Sequence, residues 1–185
     1  MRFGNIKENE LNAICGILRD KQPKNIFEIG TFDGSSARFL AERFPEATIF
    51  TLDLPPEETP SLPFFTDDLK TIRIGRERGI GNLCKDMPNV MQLYGDSRTF
   101  DFSPYYGKMD AVLIDGCHFY GYVEKDTENA RKMIRNGGVI FWHDFDLIHP
   151  FVWLYLTICE SNAKRINNTR MALLECEEVG CVART

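Results

Sequence analysis

A glycine turn near residue 30 is the strongest local sign of a ligand site. An apolar strand pattern ends at Gly30, and a helical pattern begins after Gly34 with Ser35 available as its cap. Glycine lets the backbone approach a ligand closely, and a helix N-terminus offers free N–H groups to an anion. A dinucleotide fingerprint needs glycine where Phe32 stands, so the turn favours a ligand with one carboxylate and one ammonium group over NAD or FAD. The alternative is an ordinary strand-to-helix turn.

Acidic residues follow the ends of consecutive strand patterns. Glu28 and Asp33 could serve the ammonium group directly or through water. Asp53 ends the second strand, where an acid can accept hydrogen bonds from a ribose diol. Asp96 follows the third strand and could bind an exocyclic amine, while Leu54 flanks an adenine ring. Aspartate also ends strands for turn reasons, but acids in series at this edge coincide with the crevice where open α/β sheets bind ligands.

A second set of polar residues follows the fourth and fifth strands. Asp115 begins the run Asp-Gly-Cys-His-Phe-Tyr, and His143 and Asp144 end the next apolar run. His118 and His143 are candidate bases, because imidazole titrates near neutral pH. The alternative is structural: Asp115 could belong to a turn, and both histidines could hydrogen-bond without touching a substrate. His149 precedes Pro150 at a helix entrance and is predicted to be structural.

The elements that position these residues alternate as strands and helices, which indicates an α/β fold with a parallel sheet. The strand runs are nearly continuous in apolar residues, as expected for strands covered on both faces. They span 25–29, 47–52, 90–94, 111–114 and 139–142. Helical spacing covers 6–18, 35–44, 122–134 and 147–160, with 136–138 predicted to close the third of these helices. Residues 164–166 and 171–176 are predicted to form an antiparallel edge ribbon.

Residues 55–88 interrupt this rhythm and are predicted to be an insertion on the substrate side. Four prolines fall within nine residues, at 55, 56, 60 and 63, and exclude a helix interior or central strand there. Arg73, Arg76 and Arg78 follow them and favour an acidic acceptor, although a solvated basic loop is an equal alternative. Residues 1–24 carry an N-terminal helix, and the whole chain, 1–185, is predicted to be a single domain.

Composition excludes several classes of protein. A net charge of -5 gives no support to nucleic-acid binding or to an anionic membrane surface. The longest uncharged stretch, 147–159, is too short to span a bilayer and contains a proline. Six cysteines without a C-x-x-C pair predict reduced thiols, and with no signal peptide pattern they predict a cytoplasmic protein.

The motif order resembles that of class I S-adenosylmethionine-dependent methyltransferases, over residues 25–145. The small branch that groups with cephalosporin-hydroxylase-type and sugar or macrolide O-methyltransferases is the most similar. The resemblance implies a Rossmann-like, doubly wound sheet of seven strands, mostly parallel with an antiparallel C-terminal edge. It also implies S-adenosylmethionine contacts at a set of matching positions. These are Glu28, Gly30, Thr31, Asp33, Gly34, Asp53, Leu54, Gly95, Asp96, Ser97 and Asp115.

The implied activity is methyl transfer to a small-molecule acceptor, most plausibly at oxygen, with Asp115, His118 and His143 as catalytic residues. Related metal-dependent members bind a divalent cation here, which implies Asp115, His143 and Asp144 as ligands. Magnesium prefers oxygen, so the histidine leaves room for another metal or none. Two alternatives stay open: a hydroxylase-like member of the family, or a protein that binds S-adenosylmethionine without catalysis. A second subunit could complete the pocket, which predicts a homo-oligomer.

Overall fold

The computed structural model describes residues 5–61 and 66–177, which form a seven-stranded sheet flanked by helices. The strands are β1 (Asn25–Ile29), β2 (Thr48–Asp53), β3 (Val90–Tyr94), β4 (Met109–Ile114), β5 (Ile134–Trp142), β6 (Lys164–Arg165) and β7 (Ala172–Glu175). The helices are α1 (Glu8–Arg19), α2 (Ser35–Arg43), α3 (Thr66–Arg78), α4 (Tyr120–Met133) and α5 (Pro150–Cys159). Among these described helices, none has the length and apolar character needed to cross a membrane.

The strand order is β3-β2-β1-β4-β5-β7-β6, which confirms the Rossmann-like architecture. Strands β1 to β5 run parallel, while β7 pairs antiparallel with both β5 and β6 as the predicted edge ribbon. The chain steps outward from β1 to β3 and then resumes on the other side of β1 with β4. Ligands of open parallel sheets bind at the carboxyl ends of the strands beside such a reversal.

Helices cover both faces of the sheet. Successive residues of a strand point to opposite faces, so neighbouring residues pack against different helices. In β1, Ile26 packs with Leu40 and the rest of the α1 and α2 cluster. Its neighbour Phe27 packs with Met133 in the cluster of α4 and α5. Burial on both sides explains why the central strands are nearly continuous in apolar residues.

The end of α4, which corresponds to the predicted helix 122–134, differs from its prediction. Residues 136–138 were expected to terminate that helix, but they lie inside β5. Ile134 pairs with Met109, and the pairing then jumps to Ala111 with Val139, so a bulge separates the two registers. Gly137, at φ +78°, supplies the left-handed backbone conformation within that bulge.

The prediction that all six cysteines are reduced thiols fails at one residue. Cys15, Cys84, Cys117 and Cys159 are free thiols, as expected. Cys176, however, is disulfide-bonded just after β7, so the expectation of six reduced cysteines is wrong. The spacing of cysteines along a chain does not show which of them approach each other in the fold, and Cys181 lies outside the described residues.

Candidate active site

A cavity of about 600 Å³ lies at the carboxyl edge of the parallel strands. Residues at or just after the ends of β1 to β5 contribute to its wall, including Gly30, Asp53, Asp96, Asp115 and His143. Helix α3 supplies further wall residues from the predicted insertion, among them Asp68, Ile72 and Arg76. The chain therefore gathers its strand-end polar groups around one space that α3 partly covers.

Gly30 sits where the turn after β1 presses against the end of β4. Its φ is +102°, and a Cβ atom there would lie 2.1 Å from the carbonyl oxygen of Asp115. The adjoining backbone is fixed by hydrogen bonds from Gly30 N–H to the Leu52 carbonyl, 2.8 Å, and from Asp115 N–H to the Ile29 carbonyl, 2.9 Å. Only glycine fits this close approach.

Glu28 lies behind the cavity wall. It is fully buried, and its carboxyl group accepts hydrogen bonds from the hydroxyls of Thr51, at 2.5 Å, and Ser36. Burial raises the pKa of Glu28 to about 8, although both hydroxyl hydrogen bonds act to lower it. Through these two hydrogen bonds Glu28 links α2 to β2 and stabilises the turn after β1.

Three other residues of the turn also lie behind the wall. Thr31 places its hydroxyl 2.8 Å from that of Thr51. The Asp33 carboxylate accepts the Ser35 N–H at 3.3 Å and pairs with Arg78 at 3.3 Å. Gly34 adopts φ +84°. These positions shape the turn, and none of the three lines the cavity.

Asp53 lines the cavity together with Leu54. Its two carboxylate oxygens accept the N–H groups of Phe32, at 2.7 Å, and Leu54, at 2.8 Å. Burial raises the pKa of Asp53 to about 6, against the lowering effect of these N–H groups. The carboxylate is thus oriented by the turn after β1, with acceptor capacity left for a ligand.

Asp96 and Ser97 line the cavity together with Gly95. Asp96 accepts hydrogen bonds from Ser61 N–H at 2.7 Å, Arg98 N–H at 2.9 Å and the Tyr122 hydroxyl at 2.9 Å. Burial alone would raise the pKa of Asp96, but these hydrogen bonds outweigh it and lower the pKa. Tyr122 also lines the cavity and was not identified from the sequence.

Asp126 lies in α4, and its buried carboxyl group predicts a pH-dependent stability. Burial raises its pKa to about 7, with a lowering contribution from the Ser97 side chain. The stability that the neutral group provides is complete below about pH 4 and is lost as the pH rises through 7. Asp126→Asn should therefore be more stable than the wild type above pH 7, by a few kcal/mol, in urea unfolding.

A matched control lies on the same helix, where Glu128 is exposed and pairs with Lys125. Glu128→Gln should change the free energy of unfolding by less than about 0.5 kcal/mol at either pH. Equal effects of the Asp126→Asn substitution at pH 5 and pH 8 would contradict the assignment.

His118 is held at both ring nitrogens by carboxylates. Nδ1 lies 2.6 Å from Asp68 Oδ1, and Nε2 lies 2.9 Å from Asp144 Oδ2. Burial would lower the pKa of His118, but the two carboxylates raise it to about 10. The ring is therefore an imidazolium at neutral pH, and it stacks at 4.4 Å between centroids on His149.

His143 has a similar arrangement deeper in the wall. Nδ1 lies 2.8 Å from Asp115 Oδ1 and Nε2 lies 3.2 Å from Glu10 Oε2. Burial would lower the pKa of His143, but Asp115 above all, with Asp144 and Glu10, raises it to about 12. Both raised pKa values favour protonated rings, and a protonated ring donates a proton rather than accepting one. A role of His118 or His143 as a base stays a prediction.

Three charged residues of this cluster were not identified from the sequence. Glu10 comes from α1, Asp68 from α3 and Arg170 from the turn before β7. Arg170 pairs with Asp144, and its backbone N–H donates to Glu10 at 2.8 Å. A signal for Glu10 existed, because it shares the buried face of α1 with Leu11 and Ile14. A lone acid on an apolar helix face needs a buried partner.

Two groups in the cluster could hold a metal ion, and both include Asp144. One is the predicted set of Asp115, His143 and Asp144, and the other is His118, Asp144 and His149. In each group the ligand atoms lie within 4.8 Å of one another. The donor chemistry combines imidazole nitrogen with carboxylate oxygen, which suits transition metals better than magnesium.

The three arginines of the insertion differ in their position relative to the cavity. Arg73 is exposed and lies near Glu77, and Arg78 pairs with Asp33. Arg76 does line the cavity, but its guanidinium donates to the carbonyl oxygens of Pro55 and Glu58. The prediction of an acidic acceptor therefore depends, among these three arginines, on Arg76.

Comparison with solved structures shows that the fold is shared with methyltransferases. Rv0187 from MTB, solved with cofactor, is 19% identical with a TM-score of 0.64, over 96% of this chain and 84% of that one. The methyltransferase PaMTH1 of Podospora anserina, solved with bound SAH, is 17% identical with a TM-score of 0.61, over 93% and 80%. A candidate caffeoyl-CoA O-methyltransferase from Staphylococcus aureus is 17% identical with a TM-score of 0.62, over 91% and 83%.

Sequence comparison identifies the family. No curated protein sequence is significantly similar to this chain. The sequence model of the family described as "Methyltransferase domain" matches residues 27–145, which is more than half of the chain. This matched segment contains the last three residues of β1, all of β2 to β5 and the strand-end residues that line the cavity. The chain belongs to this methyltransferase family, as its motifs predicted.

Proposed function

We propose that the protein binds S-adenosylmethionine in the cavity and transfers its methyl group to an oxygen atom of a small-molecule acceptor. One observation carries the proposal: a single cavity of about 600 Å³ joins the glycine turn and strand-end acids to a cluster of histidines and carboxylates. Its volume is typical of small-molecule sites. Membership of the methyltransferase family supports the reaction, and the bound SAH of the Podospora anserina relative supports the ligand.

The residues on the β1–β3 side fit this ligand. Gly30 brings bare backbone to the cavity, as the methionine end of the ligand requires. Asp53 offers its oriented carboxylate to the ribose diol. Asp96 is oriented by donors from Ser61, Arg98 and Tyr122, and its carboxylate lines the cavity where it would accept the exocyclic amine of adenine. Leu54 and Ser97 line the same wall.

The residues on the β4–β5 side would act on the acceptor. When bound, S-adenosylmethionine supplies an electrophilic methyl group on a sulfonium, which a positioned nucleophile displaces. The His118 imidazolium lines the cavity and would stabilise negative charge that develops on an acceptor hydroxyl. Asp115 lines the cavity too, and we expect its carboxylate to take the hydroxyl proton, because the raised pKa values of both imidazoles favour their protonated forms.

Asp53 gives the sharpest test of ligand placement. Asp53→Asn keeps the shape of the side chain but removes a charged acceptor, a change worth about 1.5 to 3 kcal/mol. We expect S-adenosylhomocysteine to bind about 10- to 100-fold more weakly, measured by calorimetry. The control is Asp101→Asn, an exposed acid outside the cavity wall. Equal affinities of the Asp53→Asn variant and the wild type would contradict the assignment.

Turnover separates catalysis from binding alone. The protein is incubated with S-adenosylmethionine and a panel of catechols, sugars and macrolides, and S-adenosylhomocysteine is measured by mass spectrometry. We expect release above the acceptor-free blank, together with one acceptor heavier by one methylene. Tight binding without acceptor-dependent release across the panel would favour a protein that binds the ligand without catalysis.

A further inference from the structure

The guanidinium of Arg170 lies among acids on the β4–β5 side of the cavity. Arg170 lines the cavity, and its side chain is 30% exposed. Its Nη1 atom forms an ion pair with Asp144 and lies 3.8 Å from Asp146 Oδ2. Its Nε atom lies 3.8 Å from Glu10 Oε1. One positive charge therefore faces carboxylates from α1 and from the loop after β5.

Backbone hydrogen bonds fix Arg170 in this position. Its N–H donates to Glu10 Oε1 at 2.8 Å, and its carbonyl oxygen accepts the Phe145 N–H at 2.8 Å. The second of these bonds joins the turn before β7 to the residue that follows Asp144. Because both of its backbone polar groups are bonded to this cluster, Arg170 is positioned before any ligand binds.

Asp144 has an unusual backbone conformation beside this arginine. Its φ is +56°, in the left-handed region that few residues other than glycine adopt. The Asp146 N–H donates to the Asp144 carbonyl oxygen at 2.8 Å and helps to maintain this conformation. Such conformations persist where the surrounding structure over-determines them, and they cluster at functional sites. The Asp144–Arg170 pair is thus specified by the backbone as well as by the side chains.

Burial explains why these acids need a cation. Glu10 is 1% exposed and Asp144 is 6% exposed. A buried carboxylate is costly unless a charged partner compensates it. Arginine remains protonated at all ordinary pH values, and its planar group donates to several acceptors at once. Arg170 therefore supplies this compensation from within the chain.

The guanidinium also occupies the place that a metal ion would need. Both groups with ligand atoms close enough for an ion depend on Asp144. An ion bound to Asp144 would lie next to Arg170 Nη1, and like charges this close repel each other strongly in a partly buried site. In addition, His143 Nε2 lies 3.3 Å from Nη2, and His149 Nδ1 lies nearer to Asp146, at 3.0 Å, than to Asp144, at 3.6 Å. The arrangement fits a guanidinium at Asp144 and does not fit a metal ion there.

We propose that the Arg170 guanidinium is the resident cation of these acids and keeps divalent metal ions from binding to Asp144. The predicted ligands Asp115, His143 and Asp144 then bind no ion in the wild type. One consequence rests on the proposed function: Arg170 would place its positive charge beside the acceptor oxygen and stabilise the negative charge that develops there.

Mn²⁺ serves as the probe, because the free ion in water has a sharp electron paramagnetic resonance signal that broadens when the ion binds to a protein. Arg170→Ala should bind Mn²⁺ at least about tenfold more tightly than the chelator-treated wild type, because the acids lose their cation. Addition of Asp144→Asn to this variant should remove the gain. Arg170→Lys keeps the charge and should stay within about threefold of the wild type. The control is Arg38→Ala, an exposed arginine paired with Glu42, which should stay within about twofold.

Mn²⁺ binding to the wild type that is as tight as binding to Arg170→Ala would overturn the proposal. Absence of any gain in Arg170→Ala would overturn it too, because the acids would then reject the ion for a reason other than this charge. Where thermal unfolding shows that the alanine variant is not folded, Arg170→Gln removes the charge with a smaller loss of volume and takes its place. S-adenosylhomocysteine calorimetry on the wild type reports the proposed function separately. Its failure beside the expected Mn²⁺ result would contradict that function alone.

Discussion

Gly30→Ala is expected to abolish ligand binding and to lower the free energy of unfolding by about 3 kcal/mol or more. The new Cβ would lie 2.1 Å from the Asp115 carbonyl oxygen, at a backbone φ of +102° that alanine rarely adopts. Relief requires the turn after β1 to separate from the end of β4, which are joined at this point by parallel pairing. The two halves of the cavity would then lose their relative position.

Gly16→Ala is the matched control for this substitution. Gly16 lies in α1, where an added Cβ meets no atom within 4 Å. Because alanine is the better helix former, this variant should be stabilised by about 0.5 to 1 kcal/mol and should bind S-adenosylhomocysteine normally. Urea unfolding and calorimetry measure both effects. Normal ligand affinity in Gly30→Ala would show that the turn does not form the binding wall.

Glu10→Gln should cost about 2 to 4 kcal/mol of unfolding free energy at neutral pH. Glu10 is 1% exposed and joins three elements, through Lys7 N–H, His143 Nε2 and Arg170 N–H. Removing this buried charge leaves His143 Nε2 without its carboxylate partner, although Asp115 and Asp144 remain beside Nδ1. Glu8→Gln, at an exposed position of the same helix, should change stability by less than about 0.5 kcal/mol.

The pH dependence of the difference in unfolding free energy between wild type and Glu10→Gln tests whether Glu10 is charged. Burial would raise the pKa of Glu10, but His143 and the backbone N–H groups outweigh it and lower the pKa to about 2. A lowered pKa contributes stability that is complete above about pH 4.5 and is lost as the pH falls toward 2. The gap between wild type and Glu10→Gln in urea unfolding should therefore narrow across this range. A gap independent of pH would mean that Glu10 is not the buried anion.

The five parallel strands were predictable because burial on both faces leaves a simple apolar signal. The predicted ranges 25–29 and 90–94 match β1 and β3 to the residue. The start of β5 was not predictable, because Ile134 completes the apolar stripe of α4 as well as pairing with Met109. Local periodicity assigns such a residue to the helix, while the sheet register assigns it to the strand.

The wall of the cavity was predictable only where a residue lies at or just after the end of its own strand. Asp53, Asp96, Asp115 and His143 all line the cavity for that reason. Glu28, Thr31, Asp33 and Gly34 share the same motif but are not among the residues that line the cavity, which spacing alone does not specify. Glu10, Asp68 and Arg170 join the cluster from α1, α3 and the turn before β7, so their roles depend on tertiary packing.

Calorimetric titration of the wild-type protein with S-adenosylhomocysteine tests the central claim most directly. The account predicts saturable binding of one molecule per chain, with a negative heat-capacity change from burial of the ligand in the cavity. The same ligand should raise the midpoint of thermal unfolding, because it binds only the folded state. Absence of both binding heat and thermal stabilisation at millimolar ligand would contradict the account.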